Sequence, residues 1–216
     1  MAEAAAMPSV LFDVDGVLIH GWHAREDRRR RWDATIEADL GIDPVDFSAG
    51  FFPGPFVEEV LPGKRSLIDA LGAWLRMRGY RISPMELARY WFEQDSVRDE
   101  TLLALVGDLR ATGRCRLYVA TNQEHLRAMH LWGALGFSQL FEDMFYAARL
   151  GALKPDPRFF RAIDAIIGPQ SQPPLLFDDS HAVVEAARVH GWDAVLYDRI
   201  EDCRDHPAIA TILAER

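Results

Sequence analysis

The sequence predicts an α/β protein: a three-layer core around a parallel sheet, with an α-helical cap inserted into it. Three observations carry this. Short, nearly continuous apolar runs alternate with helical patterns, as strands buried on both faces do. The helical stretches between the later runs each end in a glycine suited to a C-cap. The first run is separated from the second by about a hundred residues, far more than one crossover helix needs.

The strands, in order, are SVLFDV, CRLYVATN, DMFYAARL, PPLLFDDS and DAVLYD. Between them lie the helical patterns EHLRAMHLWGALG, DPRFFRAIDAIIG and SHAVVEAARVHG. Strand–helix alternation of this kind gives a Rossmann-like sheet with helices on both faces. The long gap reads as helices over REDRRRRWDATIEADLG, RSLIDALGAWLRMRG, SPMELARYWFEQ and DETLLALVGDLRATG. Ser83, with Glu86 three residues on, forms a capping-box pattern. FFPGPF and LPGKRS read as loop or turn punctuation. The insertion is placed at residues 19–100, leaving 1–18 and 101–216 as the core.

The 216 residues carry a net charge of −9, with 49% hydrophobic and 26% charged. That is ordinary globular composition, and the acidity argues against a nucleic-acid or anionic-membrane binder. Cys115 and Cys203 have no metal or disulfide spacing, which favours a reducing, cytoplasmic setting. No apolar run is long enough to span a bilayer. MAEAAAMPSV lacks a basic n-region, so no signal peptide is expected. The stretch ahead of Met7 is expected to be loose.

In open α/β sheets, ligands bind beyond the carboxyl ends of the strands. There the sequence places Asp13 and Asp15, then Thr121 and Asn122, then Asp178, Asp179 and Ser180. Lys154 follows the third strand in LKPDPRFF. Strand alternation lets Asp13 and Asp15 face a common region while Val14 turns away, and Gly16 permits a sharp departure. The DxDG could instead be a polar strand end with capping aspartates. A calcium loop is disfavoured, because Val17 and Leu18 stand where oxygen ligands are needed. If the strands are neighbours, four carboxylates converge and a hard cation such as Mg2+ would compensate them. Asp179–Ser180 could also be a helix N-cap, Thr121 a cap of the next helix, and Lys154 a solvated lysine. Alternatively Thr121 and Lys154 supply a donor and a cation to a phosphoryl group.

The ordered set, strand–DVDG, strand–ATN, KPDP and strand–FDDS, resembles the haloacid dehalogenase-like hydrolase superfamily, whose four motifs stand complete and in order. The resemblance covers about Ser9 to Leu18 and Thr101 to Arg216, and the position of the cap. The cap's layout looks like that of the subgroup with a small four-helix cap.

The resemblance implies a Mg2+-dependent hydrolase of small phosphomonoesters, of the sugar phosphate or nucleotide type. It implies Asp13 as nucleophile forming an aspartyl-phosphate, and Asp15 as general acid and base. Mg2+ would be held by Asp13, the backbone carbonyl of Asp15, and one or both of Asp178 and Asp179. Thr121, Lys154 and the backbone N–H of Asn122 would hold the phosphoryl group. The intact acid at Asp15 favours phosphate chemistry over carbon–halogen cleavage. A phosphomutase on the same core, or a non-catalytic phosphate- or partner-binding module, are the alternatives. The expected partner is a small phosphate ester, with no nucleic acid or membrane, and a monomer or homodimer as the assembly.

The cap is expected to set substrate choice. His20, Trp22, His23 and Arg25 follow the nucleophile loop and can approach the site's mouth. Arg28 to Arg31 read as a solvated helical face with one or two arginines packed on the core. No third ligand spacing makes His20 or His23 metal ligands. The aromatics of FSAGFFPGPF are expected in the cap's core or hinge loop, or lining the pocket.

Overall fold

A computed structural model describes residues 7–214; the expected looseness ahead of Met7 lies outside them. Five strands form one parallel sheet: β1 (Ser9–Phe12), β2 (Arg116–Thr121), β3 (Asp143–Tyr146), β4 (Leu175–Asp178) and β5 (Asp193–Leu196). Their order is β3-β2-β1-β4-β5. Val10 pairs with Leu117 on one side and Leu175 on the other, so β1 is central. This register brings Asp13, Thr121 and Asp178 to the carboxyl end of the sheet, although Asp13 stands more than a hundred residues before the other two in sequence.

Both faces are covered, as continuous apolar runs require. Val10 and Phe12 belong to one apolar layer and Leu11 to the other, the period of two that a strand imposes. The first layer takes Leu102, Val106 and Leu109, the second Phe159, Phe160, Val183 and Val184. The result is a Rossmann-like α/β core.

Along the chain the helices are α1 (Ile36–Leu40), α2 (Pro44–Phe51), α3 (Leu67–Arg78), α4 (Pro84–Gln94) and α5 (Glu100–Thr112). The later ones are α6 (His125–Met129), α7 (Ala147–Leu150), α8 (Pro157–Ile167), α9 (His181–His190), α10 (Ile200–Arg204) and α11 (Pro207–Ala214). Helices α1 to α4 enclose their own apolar cluster, centred on Phe47, Phe51, Trp74 and Trp91; Leu126 of α6 packs against it from the core side. Helix α5, by contrast, packs on the sheet. Among the described residues no helix is long and apolar enough to cross a membrane.

Four local expectations need correction. The segment from Arg25 to Thr35 is not a helix: a single 3-10 turn spans Glu26–Arg28, and Arg29 is already extended. No apolar residue from Glu26 to Arg31 gives a helix a face to bury. The arginines are bound one by one instead. Arg25 and Arg28 pair with Asp198, Arg29 donates to the His23 carbonyl, Arg30 to that of Gln94, and Arg31 pairs with Asp33.

FFPGPF is not a loop but the start of a wide π-type helix, Phe52–Val60, in which Leu61 N–H donates to the Phe56 carbonyl at 2.8 Å. The wide helix continues directly from α2 and carries Pro53 in its first turn and Pro55 inside it. Edge-to-face contacts of Phe52 and Phe56 with Trp91 hold it down. AARL, read as strand, is the short helix α7, closed by Gly151 at φ 65°. Ser83 caps α4 by accepting from Met85 N–H, the second helical position rather than the third of a capping box. Helices α10 and α11 have no counterpart in the sequence reading.

Candidate active site

The ladder of β1 runs one residue past the strand: Asp13 N–H donates to the Phe177 carbonyl at 2.9 Å. The chain then turns sharply, with Gly16 N–H on the Ile19 carbonyl at 3.0 Å and Ile19 N–H on that of Val14 at 2.9 Å. Gly16 sits at φ 76°, and a Cβ there would stand 2.3 Å from Asp179 Oδ2. Both the left-handed conformation and the close approach demand glycine.

Asp13, Asp178 and Asp179 are buried, and a ligating oxygen from each lies within 4.8 Å of the others. Lys154 is buried among them. Its Nζ lies 2.9 Å from Asp13 Oδ1, 2.6 Å from Asp178 Oδ2 and 2.9 Å from the Ala120 carbonyl. Three acceptors thus occupy its three N–H donors. Burial opposes the charge on Lys154, but Asp13 and Asp178 outweigh it and hold the ammonium above the ordinary lysine range. Burial pushes Asp178 up to about 6 against the pull of Lys154. Burial and the Asp13 charge push Asp179 up to about 7. One ammonium does not balance three carboxylates.

The reading of four convergent carboxylates needs correction. Three converge, while Asp15 turns its carboxylate away to accept from Gln123 Nε2 at 2.5 Å. Burial and the nearby Asp95, Asp13 and Asp179 charges, against Arg127, push Asp15 up to about 7.

Thr121 is buried at the end of β2, and its Oγ1 has no hydrogen-bond partner among the described residues. It does not cap α6; Glu124 does, accepting from the N–H groups of Leu126 and Arg127. Asn122 makes a reciprocal clasp: its Nδ2 donates to the Lys154 carbonyl at 3.0 Å, and its Oδ1 accepts from Lys154 N–H at 2.8 Å. Ser180 stands at the N-cap of α9 without a side-chain bond, while Asp178 Oδ1 accepts from Ser180 N–H at 2.9 Å.

The segment after the turn at Gly16 closes over Asp179. Ala24 N–H donates to Asp179 Oδ2 at 2.6 Å, and His23 Nδ1 stands 3.1 Å from the same oxygen. That Nδ1 also accepts from Arg25 N–H, and burial with the Arg28 charge holds His23 below the ordinary histidine pKa. Asp179 Oδ1 has no partner among the described residues. Trp22 is exposed beneath the Arg29 guanidinium, and His20 lies 3.7 Å from Asp99. On the opposite side, the buried Arg127 of α6 reaches the carbonyls of Phe92 and Asp95 and the hydroxyl of Ser96.

Sequence reasoning missed Gln123, Asp95 and Arg127. Gln123 had a signal, since it follows Thr121 and Asn122 beyond the same strand. Asp95 and Arg127 had none, because only packing brings the end of α4 onto α6.

The sheet order and this cluster define a Rossmann-like α/β fold with three carboxylates gathered at the carboxyl ends of its strands. The family model for haloacid dehalogenase-like hydrolases matches residues 7–191, and the chain belongs to that family. Over 214 residues it is 29% identical to phosphatase MT3486 of Mycobacterium tuberculosis (strain CDC 1551 / Oshkosh), covering 93% of this chain and 91% of that one. Its structure is similar to that of a haloacid dehalogenase family enzyme, bt-2542, of Bacteroides thetaiotaomicron. The TM-score is 0.73 at 19% identity, over 92% of this chain and 97% of that one. The wild-type form of that enzyme in complex with magnesium and inorganic phosphate gives a TM-score of 0.71 at 18% identity, over 89% and 95%. At such identities the likeness is one of fold.

Proposed function

We propose that the chain is a Mg2+-dependent hydrolase of small phosphomonoesters that works through an aspartyl-phosphate on Asp13. The observation that carries this reading is the crowding of Asp13, Asp178 and Asp179 around one point with only Lys154 to balance them. The donor set fits the ion. Mg2+ takes oxygen ligands, and Asp179 Oδ1, without a partner among the described residues, would supply a free one. Asp13, Asp178, Asp179 and the backbone carbonyl of Asp15 would hold it. Bound there, Mg2+ neutralises charge on the phosphoryl oxygens and the carboxylates.

Lys154 and Val14 N–H engage Asp13 Oδ1, leaving Oδ2 to attack phosphorus. As the Asp13–phosphorus bond forms and the ester bond breaks, Asp15 gives its proton to the leaving oxygen. Asp15 then takes a proton from the water that attacks phosphorus. The bond to Asp13 breaks, and inorganic phosphate leaves. Thr121 Oγ1 and Asn122 N–H donate to the phosphoryl oxygens. Lys154, with its donors taken, acts chiefly by fixing Asp13 and Asp178. Residues 19–100 form the cap over this site in the same reading. The buried, unpaired Cys115 and Cys203 suit a reducing compartment such as the cytoplasm.

A panel of phosphomonoesters with free-phosphate readout tests the activity. Turnover with added Mg2+ and its loss on chelation are expected; a silent panel with Mg2+ present contradicts the reading.

The raised carboxyls add a pH signature. In the metal-free protein, Asp15, Asp178 and Asp179 hold protons that the unfolded chain has released above about pH 4. The native state then binds more protons than the unfolded one up to about pH 7, so stability falls as pH rises through that window. Mg2+ needs the ionised forms, so its stabilisation is larger at pH 8 than at pH 5. Thermal unfolding with and without Mg2+ checks this. An equal Mg2+ shift at both pH values contradicts it.

A further inference from the structure

The segment Thr121–Glu124, TNQE, joins β2 to α6, and its backbone is pinned on both sides of Gln123. Asn122 is clasped to the Lys154 backbone, and Glu124 caps α6. The Gln123 carbonyl itself accepts from Ala148 N–H at 3.1 Å. The Gln123 side chain is buried, and its amide donates to Asp15 Oδ2 at 2.5 Å. No other side chain among the described residues bonds the Asp15 carboxylate. Ordering a glutamine costs side-chain entropy, and here the whole segment is arranged to hold it.

The geometry points to Gln123 as a positioning residue for Asp15: it engages Oδ2 and leaves Oδ1 as the oxygen that exchanges the proton with the leaving group. This rests on the hydrolase reading above. The amide serves both halves of the reaction. When Oδ1 carries the proton, Oδ2 is a carbonyl-type acceptor; when Asp15 is ionised, Oδ2 is still an acceptor. Either way Nε2 donates to it, and the carboxyl keeps one orientation between the two proton transfers. Proton transfer needs hydrogen-bond reach and alignment, so a carboxyl free to rotate is a poorer acid.

The test is a leaving-group series on the Mg2+-loaded enzyme. An alkyl phosphate needs its leaving oxygen protonated; dinitrophenyl phosphate does not. Gln123→Met, close in shape but without a donor, is expected to lower kcat/KM for the alkyl ester by about 10- to 100-fold, the loss of one hydrogen bond to a charged group. For the dinitrophenyl ester the loss stays within about 3-fold. Gln123→Leu, which also lacks the donor, shows the same asymmetry and serves if the methionine variant does not fold. In an Asp15→Asn background, Gln123→Met adds no further loss on the alkyl ester. Equal losses on both esters, no loss on either, or a further loss in the Asp15→Asn background overturn the proposal while the hydrolase reading stands. A wild-type enzyme that turns over neither ester overturns both.

Discussion

Lys154→Met is expected to destabilise the protein by about 3–5 kcal/mol, the cost of removing one partner from a buried ion pair. The ammonium bridges Asp13 and Asp178, and Asp178 is completely buried. Without the lysine, Asp178 keeps only the Ser180 N–H, and Asp13 only that of Val14. Methionine fills a similar volume, so the loss reports charge rather than a cavity. Urea unfolding of the metal-free protein reads it. The penalty should shrink from pH 8 to pH 5, because Asp178, already pushed up to about 6, escapes its uncompensated charge by taking a proton. A penalty equal at both pH values would mean that packing, not charge, is what Lys154 supplies. Activity is expected to fall with stability, since Asp13, the nucleophile of the proposed mechanism, loses the cation that fixes Oδ1.

Asp13→Asn separates chemistry from architecture. An asparagine can keep the oxygen that accepts from Val14 N–H and faces Lys154, so the fold should survive. The nucleophile does not, and kcat is expected to fall by about 10⁴-fold or more, as for other covalent catalysts stripped of their nucleophile. Asp13→Asn relieves the crowding of Asp178 and Asp179 but takes from Lys154 one of its two carboxylate partners, so the metal-free variant should lose less stability than Lys154→Met. Residual turnover within about tenfold of the wild type would place the nucleophile elsewhere.

Much of the core was legible because its signals are local. The runs from SVLF to DAVL are short and apolar on both faces, which only a covered parallel sheet accommodates. The polar residues just beyond them, Asp13, Thr121 and Asp178, could be located without coordinates because strand ends in such sheets share an edge. What failed was geometry within a turn. Asp13 and Asp15 both face inward by alternation, yet the strand ends at Phe12 and the turn at Gly16 sends the two carboxylates to different partners. The arginine run looked helical by composition, but it has no apolar stripe and each side chain takes its own acceptor. The π-type helix through FFPGPF was hidden by Pro53 and Pro55, residues that ordinarily break a helix. Contacts made only by packing, such as Arg127 on the end of α4, leave no trace in spacing at all.

The central claim is the covalent step, and acid quenching during Mg2+-supported turnover tests it most directly. Peptide mapping by mass spectrometry should find an acid-stable, alkali-labile phosphoryl adduct on Asp13, absent from Asp13→Asn. Turnover in which the adduct sits on another residue, or in which Asp13→Asn turns over as the wild type does, would contradict the account.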